Sequence, residues 1–231
     1  MQAEKLAVLF DMDGVLIDSF EAHFESWNVI ARQEGREMSR QQFAETFGRT
    51  SREIIALLWP ERAEDTAAIR RFDDRKEAAF REIIAEEFPA MAGVAALLAS
   101  LSDAGIAMAV GSSGPPPNVA LVVDRLRARD HFGALVTGED VTRGKPDPQV
   151  FLMAAERLGV PPSRCVVVED APAGLQAAHA AGMACVGIAS TGRTRDELAE
   201  ADLVVDTLGQ LSPDVFHQLV DGGKERADAD R

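Results

Sequence analysis

The feature that most limits the fold is an alternation. Apolar runs rich in Val, Ile and Ala occur at residues 6–10, 106–110, 134–136, 165–168, 184–188 and 203–205. From residue 106 onward, segments of helical period separate them, at 118–127, 148–158 and 173–181. Asp147 is placed to cap the second of these helices, and Gly182 to stop the third in a left-handed turn. Strands that alternate with helices imply a parallel sheet with right-handed crossovers. Runs with almost no polar interruption fit strands covered on both faces. The fold class read from this pattern is α/β.

Between the first run and the second lies a stretch of another kind. From Ser19 to about Pro89 no good strand occurs. Phe20, Phe24, Trp27, Ile30 and Ala31 recur at helical spacing, and Ile69, Phe72, Phe80, Ile83 and Ile84 suggest a further long helix. Ser39 with Gln42, and Thr50 with Glu53, have the spacing of capping boxes. A helical block inserted after the first strand reads as a small separate domain. This assigns 1–18 and 90–220 to a core domain, 19–89 to a helical insert and the polar 221–231 to a flexible tail. The chain has 231 residues, 46% of them hydrophobic, which is enough for a core in each part.

Charge narrows the partners. There are 38 acidic residues against 24 basic ones, a formal net charge of −14. Such a surface repels nucleic acid and anionic membranes, so neither is expected as a partner. It also repels phosphorylated metabolites, unless a local cation reverses the field at one site. Cys165 and Cys185 lie in apolar, strand-like runs without metal-ligand spacing and read as buried, reduced thiols. No signal peptide is read at the N-terminus and no stretch is long enough to span a bilayer, so a cytoplasmic protein is expected, with monomer as the default state.

In an open α/β sheet, sites lie at the carboxyl ends of the strands. The first run ends in Asp11 and Asp13, the second in Gly111, Ser112 and Ser113, and the run at 165 in Glu169 and Asp170. Lys145 sits in "GKPDP", just before a helix that should pack on the sheet. Four converging carboxylates cannot all ionise unless something positive sits among them. An all-oxygen donor set favours a hard ion, Mg²⁺. With Lys145 and the serine hydroxyls, this makes a site with room for a phosphoryl group. One shielded carboxylate can then act as nucleophile and a second can move protons, with Asp13 the candidate for the latter.

In these residues the sequence resembles the haloacid dehalogenase superfamily, in its helical-cap phosphatase and phosphomutase branch. "DMDGVLIDS" is similar to the first motif, "AMAVGSS" to the second, "GKPDP" to the third and "VVVEDAPAG" to the fourth. The resemblance implies a Rossmann-like core with an inserted cap. It makes Asp11 the nucleophile, Asp13 the acid/base, Ser112 the phosphate-binding hydroxyl and Lys145 the fixed charge. It implies Mg²⁺ on the Asp11 and Asp170 carboxylates and the Asp13 carbonyl, with Glu169 acting through water or by pairing with Lys145. An acid two residues after the nucleophile separates this branch from the dehalogenases, whose leaving halide needs no proton.

The insert resembles the caps of β-phosphoglucomutases and sugar phosphatases. Carried over, His23 in "EAHFESW" would assist proton handling or closure, Arg52 in "TSREI" would bind a distal phosphate, and Lys76 in "DDRKEAAF" would touch substrate. Ser113 and Asn118 would lie near the transferring phosphate. Plainer readings stand beside these. His23 and Trp27 can be packing residues, Arg52 a solvated first-turn residue, Lys76 part of a charged solvated face and Asn118 a helix N-cap. "GSSGPPPN" is less basic than the mutase loop and leans towards a monophosphate. The expected activity is a Mg²⁺-dependent phosphatase acting on a small phosphorylated metabolite, with a sugar phosphate as the favoured class. The alternatives are a β-phosphoglucomutase-type phosphomutase and, from another class, a non-catalytic phospho-acceptor module.

Overall fold

The computed structural model describes residues 5–46, 51–189 and 191–229, the last seven of these as backbone alone. The chain divides into two compact units, one of residues 1–18 with 90–231 and the other of 19–89.

The first unit is built on six parallel strands: β1 (Ala7–Phe10), β2 (Ala107–Gly111), β3 (Phe132–Val136), β4 (Cys165–Glu169), β5 (Ala184–Ile188) and β6 (Leu203–Val205). Their order is β3-β2-β1-β4-β5-β6. All pairs are parallel, with Leu9 opposite Ala109 on one side and Val167 on the other. The order reverses between β1 and β4, which places a crevice at their carboxyl ends. Every residue of β1 is fully buried, so the strand carries no polar side chain until it leaves the sheet at Asp11.

Helices α5 (Val94–Asp103), α6 (Pro116–Arg125), α7 (Gln149–Leu158), α8 (Pro172–Ala180) and α9 (Pro213–Ala229) complete the unit. Ala7, Leu9 and Val167 point to one face, against Val150, Phe151 and Ala154 of α7 and Leu175 and Ala178 of α8. Alternation along the strand turns Val8 and Phe10 to the other. Gly182, at φ +72°, follows α8 and donates to the His179 carbonyl, as expected of a left-handed stop.

Several local expectations change. Helix α6 begins at Pro116, because proline suits the first helical position, so Asn118 lies inside the first turn and is not the N-cap. Asp147 stands one residue further out than an N-cap, its Oδ1 accepting from the Gln149 N–H at 3.0 Å. From Asp221, where the polar tail is expected, the backbone continues α9 to Ala229. This helix buries Phe216 and Val220, and Arg164 pairs with Asp221 at 3.1 Å.

The second unit is all helical: α1 (Phe20–Gln33), α2 (Arg40–Thr46), α3 (Ser51–Leu58) and α4 (Thr66–Glu86). Its core joins Phe20, Trp27, Ile30, Phe43, Ile55, Trp59 and Phe72. Ser39 and Gln42 form the expected reciprocal cap, each side chain accepting the other's backbone N–H at 3.2 and 2.9 Å. Thr50, the other expected cap, lies outside the described residues.

Candidate active site

Asp11 is the first residue beyond β1, and its N–H still donates to the Val168 carbonyl of β4. The backbone then turns at once: Gly14 N–H donates to Ile17 O, with Gly14 at φ +71°. A Cβ on Gly14 would stand 2.1 Å from Asp170 Oδ2, so glycine meets both a conformational and a spatial demand. Asp170 follows β4 directly and needs that space. Asp13, between the two, is half-buried, whereas Asp11 and Asp170 are buried.

Lys145 reaches the same point from a loop. Its Nζ lies 2.6 Å from Asp11 Oδ1 and 2.7 Å from Glu169 Oε1. The loop is shaped by its own polar side chains. Gln149 Oε1 accepts from the N–H groups of Thr142 and Arg143, and Arg143 pairs with Asp147. Glu169 is held as firmly. Its Oε2 accepts from the N–H groups of Asp170 and Ala171, both at 2.9 Å. A Cβ on Gly174 would stand 1.8 Å from Glu169 Oε1, so the first turn of α8 is hollowed for this carboxylate. Of the two readings of Glu169, pairing with Lys145 is the one the geometry displays.

Gly174→Ala must therefore expel Glu169 from three hydrogen bonds and leave Lys145 with Asp11 as its remaining carboxylate of the two. The expected result is a loss of about 1–3 kcal/mol from overpacking, together with weakened turnover. Urea unfolding and steady-state kinetics check the two effects. A variant of unchanged stability would show that Glu169 has room to move.

The electrostatics are unusual for four acids near the surface of a sheet. Burial pushes Asp11 up to about 7; Lys145 opposes this, while Glu169 and Asp13 add to it. Asp170 is raised well above the carboxylate range by burial, then by Glu169 and Asp11, with Arg193 opposing. Burial alone would lower Lys145, but Asp11 and Glu169 outweigh it and keep the ammonium charged. One lysine does not balance these acids. Carboxylate oxygens of Asp11, Glu169 and Asp170 lie within 4.8 Å of one another, and a hard divalent cation fits that donor set.

Ser112 follows β2 directly and is buried, its Oγ accepting from the Gly114 N–H at 3.0 Å. Ser113 is exposed, and Asn118 is buried in α6. The helical unit holds the other expected residues. Lys76 is buried, which corrects its reading as part of a solvated face: its Nζ sits 2.9 Å from His23 Nδ1 and 2.8 Å from Glu77 Oε1. The His23 ring stacks on Phe80 at 4.1 Å, and Lys76 lies 5.4 Å over the same ring. Trp27 is core. Arg52 is exposed and belongs to a different pair, with Glu64 at 3.9 Å. Gly174, Gln149 and Arg193 had no expected role. Gly174 was visible as the last residue of "EDAPAG", but a packing demand leaves no mark beyond the glycine itself.

Comparison with known proteins agrees with this architecture. The chain is 33% identical to β-phosphoglucomutase of Bacillus subtilis, over 92% of this chain and 94% of that protein. It is 36% identical to hexitol phosphatase A of Escherichia coli, over 88% and 92%. The structure of CbbY from Rhodobacter sphaeroides in complex with xylulose-(1,5)-bisphosphate superposes with a TM-score of 0.78 at 29% identity, covering 90% of this chain and 99% of that one. Among the described residues, no helix is long and apolar enough to cross a membrane. The family model for haloacid dehalogenase-like hydrolases matches residues 6–182, and the chain belongs to that family.

Proposed function

We propose that this protein is a Mg²⁺-dependent phosphatase of a small phosphorylated metabolite, with a sugar or polyol phosphate as the preferred class. The observation that carries the reading is the buried contact of Lys145 with Asp11 and Glu169, beside Asp170, at the carboxyl ends of β1 and β4. The Asp11 and Asp170 carboxylates and the Asp13 main-chain carbonyl would hold the ion, with Glu169 fixing Lys145 beside them. When bound, Mg²⁺ supplies the charge neutralisation that lets an anionic phosphoryl group approach a carboxylate.

Asp11 attacks phosphorus, and the bond from phosphorus to the leaving oxygen breaks as Asp13 gives that oxygen its proton. Lys145 and Ser112 bind the equatorial oxygens that carry the transferred charge. A water then attacks the aspartyl-phosphate and passes its proton to Asp13. Inorganic phosphate leaves, and both aspartates are restored. Half-burial of Asp13 supports its role, since a proton shuttle has to reach both the leaving group and the attacking water. Ser113 and Asn118 are assigned to the substrate end of this site. A receiver-like phospho-acceptor would need neither Asp13 as an acid nor a helical insert.

The second reading is a phosphomutase, in which a sugar hydroxyl replaces water as the attacker. It is favoured by the relatives, which carry both kinds of name, and by the buried Lys76–His23 pair in the helical unit, which sets a cation beside an imidazole. His23, Lys76 and Arg52 are assigned to substrate handling on this basis. Against a second phosphate stands the stretch 111–119, which contains no Lys or Arg. A panel of hexose, pentose and polyol phosphates, assayed with and without Mg²⁺ for both inorganic phosphate and isomerised sugar, separates the two. Stoichiometric phosphate release is expected; turnover that yields isomer alone would sink the phosphatase reading.

A further inference from the structure

A second group of ligating side chains lies at the opposite end of the sheet. His179 is in the last turn of α8, Cys185 is the second residue of β5, and Asp202 immediately precedes β6. His179 Nε2 is 3.2 Å from Cys185 Sγ and 3.4 Å from Asp202 Oδ2. The backbone fixes the arrangement. Cys185 N–H donates to Asp202 Oδ2 at 2.9 Å, and Asp202 N–H donates to Cys185 O at 3.0 Å.

We propose that His179 Nε2, Cys185 Sγ and Asp202 Oδ2 form a binding site for a borderline-soft divalent ion of the Zn²⁺ class. Convergence is the first reason. Three separate parts of the chain bring a nitrogen, a sulfur and a carboxylate oxygen within 4.8 Å of one another. One cation can take a lone pair from each of them once the thiol has lost its proton.

Geometry is the second reason. Tetrahedral Zn²⁺, with bonds of about 2.3 Å to sulfur and about 2.0–2.2 Å to nitrogen and oxygen, spans ligand edges of roughly 3.3–3.6 Å. The two observed separations are close to those edges before any ion draws the ligands into place. Chemistry is the third. A thiolate, an imidazole and a carboxylate suit zinc, whereas the all-oxygen cluster of Asp11, Glu169 and Asp170 suits magnesium.

The surroundings agree. A cavity of about 270 Å³ borders His179 and Asp202 and is also lined by Gln218 and Leu219 of α9. It would give solvent access to an ion from the side of His179 and Asp202. Register and chain order set this site apart from the catalytic one: Cys185 pairs with Val167, two residues before Glu169, and Asp202 comes before β6 begins, whereas the catalytic acids follow their strands. On binding, the thiol proton leaves to solvent as the sulfur–metal bond forms. The ion would clamp the end of α8 to β5 and the start of β6.

The test is a Co²⁺ titration of the full chain in excess Mg²⁺, which keeps the acidic cluster occupied. One equivalent is expected to give a thiolate-to-cobalt charge-transfer band, displaced by Zn²⁺. Cys185→Ser should abolish the band, and His179→Asn should weaken binding by roughly 100-fold or more, since even outer partners of a metal are worth 10–100-fold. His179 is an exposed position, so that variant keeps the fold. Both variants should retain phosphate release in Mg²⁺. Absence of the band from the wild type, or unchanged affinity in either variant, overturns the proposal.

Discussion

Asp11→Asn is expected to abolish turnover, with a loss of roughly 10⁴–10⁶-fold, the scale seen when a covalent nucleophile is removed. The amide has nearly the same shape, so the fold of β1 and the turn at Gly14 have no reason to change. What disappears is the oxygen proposed to attack phosphorus, together with half of the Lys145 contact. Lys145 keeps Glu169, so the ammonium stays in place. The variant should therefore still bind a phosphorylated ligand while releasing no phosphate, which equilibrium binding and a phosphate assay separate. Asp13→Asn is the contrasting case. Removing a proton shuttle costs about 10²–10⁴-fold, and the deficit should narrow for an aryl phosphate whose leaving group needs no proton. If Asp11→Asn kept activity within tenfold of the wild type, the aspartyl-phosphate route would be wrong.

The parts of this molecule legible from sequence are those where burial acts on neighbours in the chain. Residues Ala7–Phe10 are apolar because both faces of β1 are covered, and the acids that follow mark where the cover ends. The helical insert was legible for the same reason, since Phe20, Trp27 and Ile30 repeat on one face of α1. The site was only partly legible. Residues at strand ends could be gathered by topology alone, because parallel strands deliver them to one edge. Lys145 could be matched to a motif, yet its contact with Asp11 crosses 134 positions and depends on a loop closed by Gln149 and Asp147. Lys76 looked solvated because its neighbours in "RRFDDRKE" are charged; its own side chain turns inward onto Phe80 and His23. His179, Cys185 and Asp202 show no spacing that marks a ligand set, since α8, β5 and β6 bring them together from separate elements.

Asp170→Asn should separate function from stability. Burial, Glu169 and Asp11 all disfavour the Asp170 carboxylate, with Arg193 only partly opposing them. Its folded value is therefore raised above the unfolded one, which sits near 3.8. The sign follows. Below the unfolded value both states are protonated and Asp170 costs nothing. As pH rises above it, the unfolded chain releases the proton more readily, so stability is lost, and at neutral pH the cost is present. Asparagine removes that cost. In EDTA at neutral pH the variant should be more stable by about 1–2 kcal/mol, a scale common when a functional site is relieved. At this chain length that is roughly 2–4 °C in Tm for each kcal/mol. The gain should vanish in acid. Added Mg²⁺ should reverse the order: the wild type gains about 2.7 kcal/mol at a hundredfold excess over Kd, while the variant, short of one ligand, gains little and turns over roughly 10²–10³-fold more slowly. Thermal melts of both proteins, with EDTA and with Mg²⁺, check all four values. A variant less stable than the wild type in EDTA would show that the acids are held by one another's partners, and that the demand for a cation is not built into the apo fold.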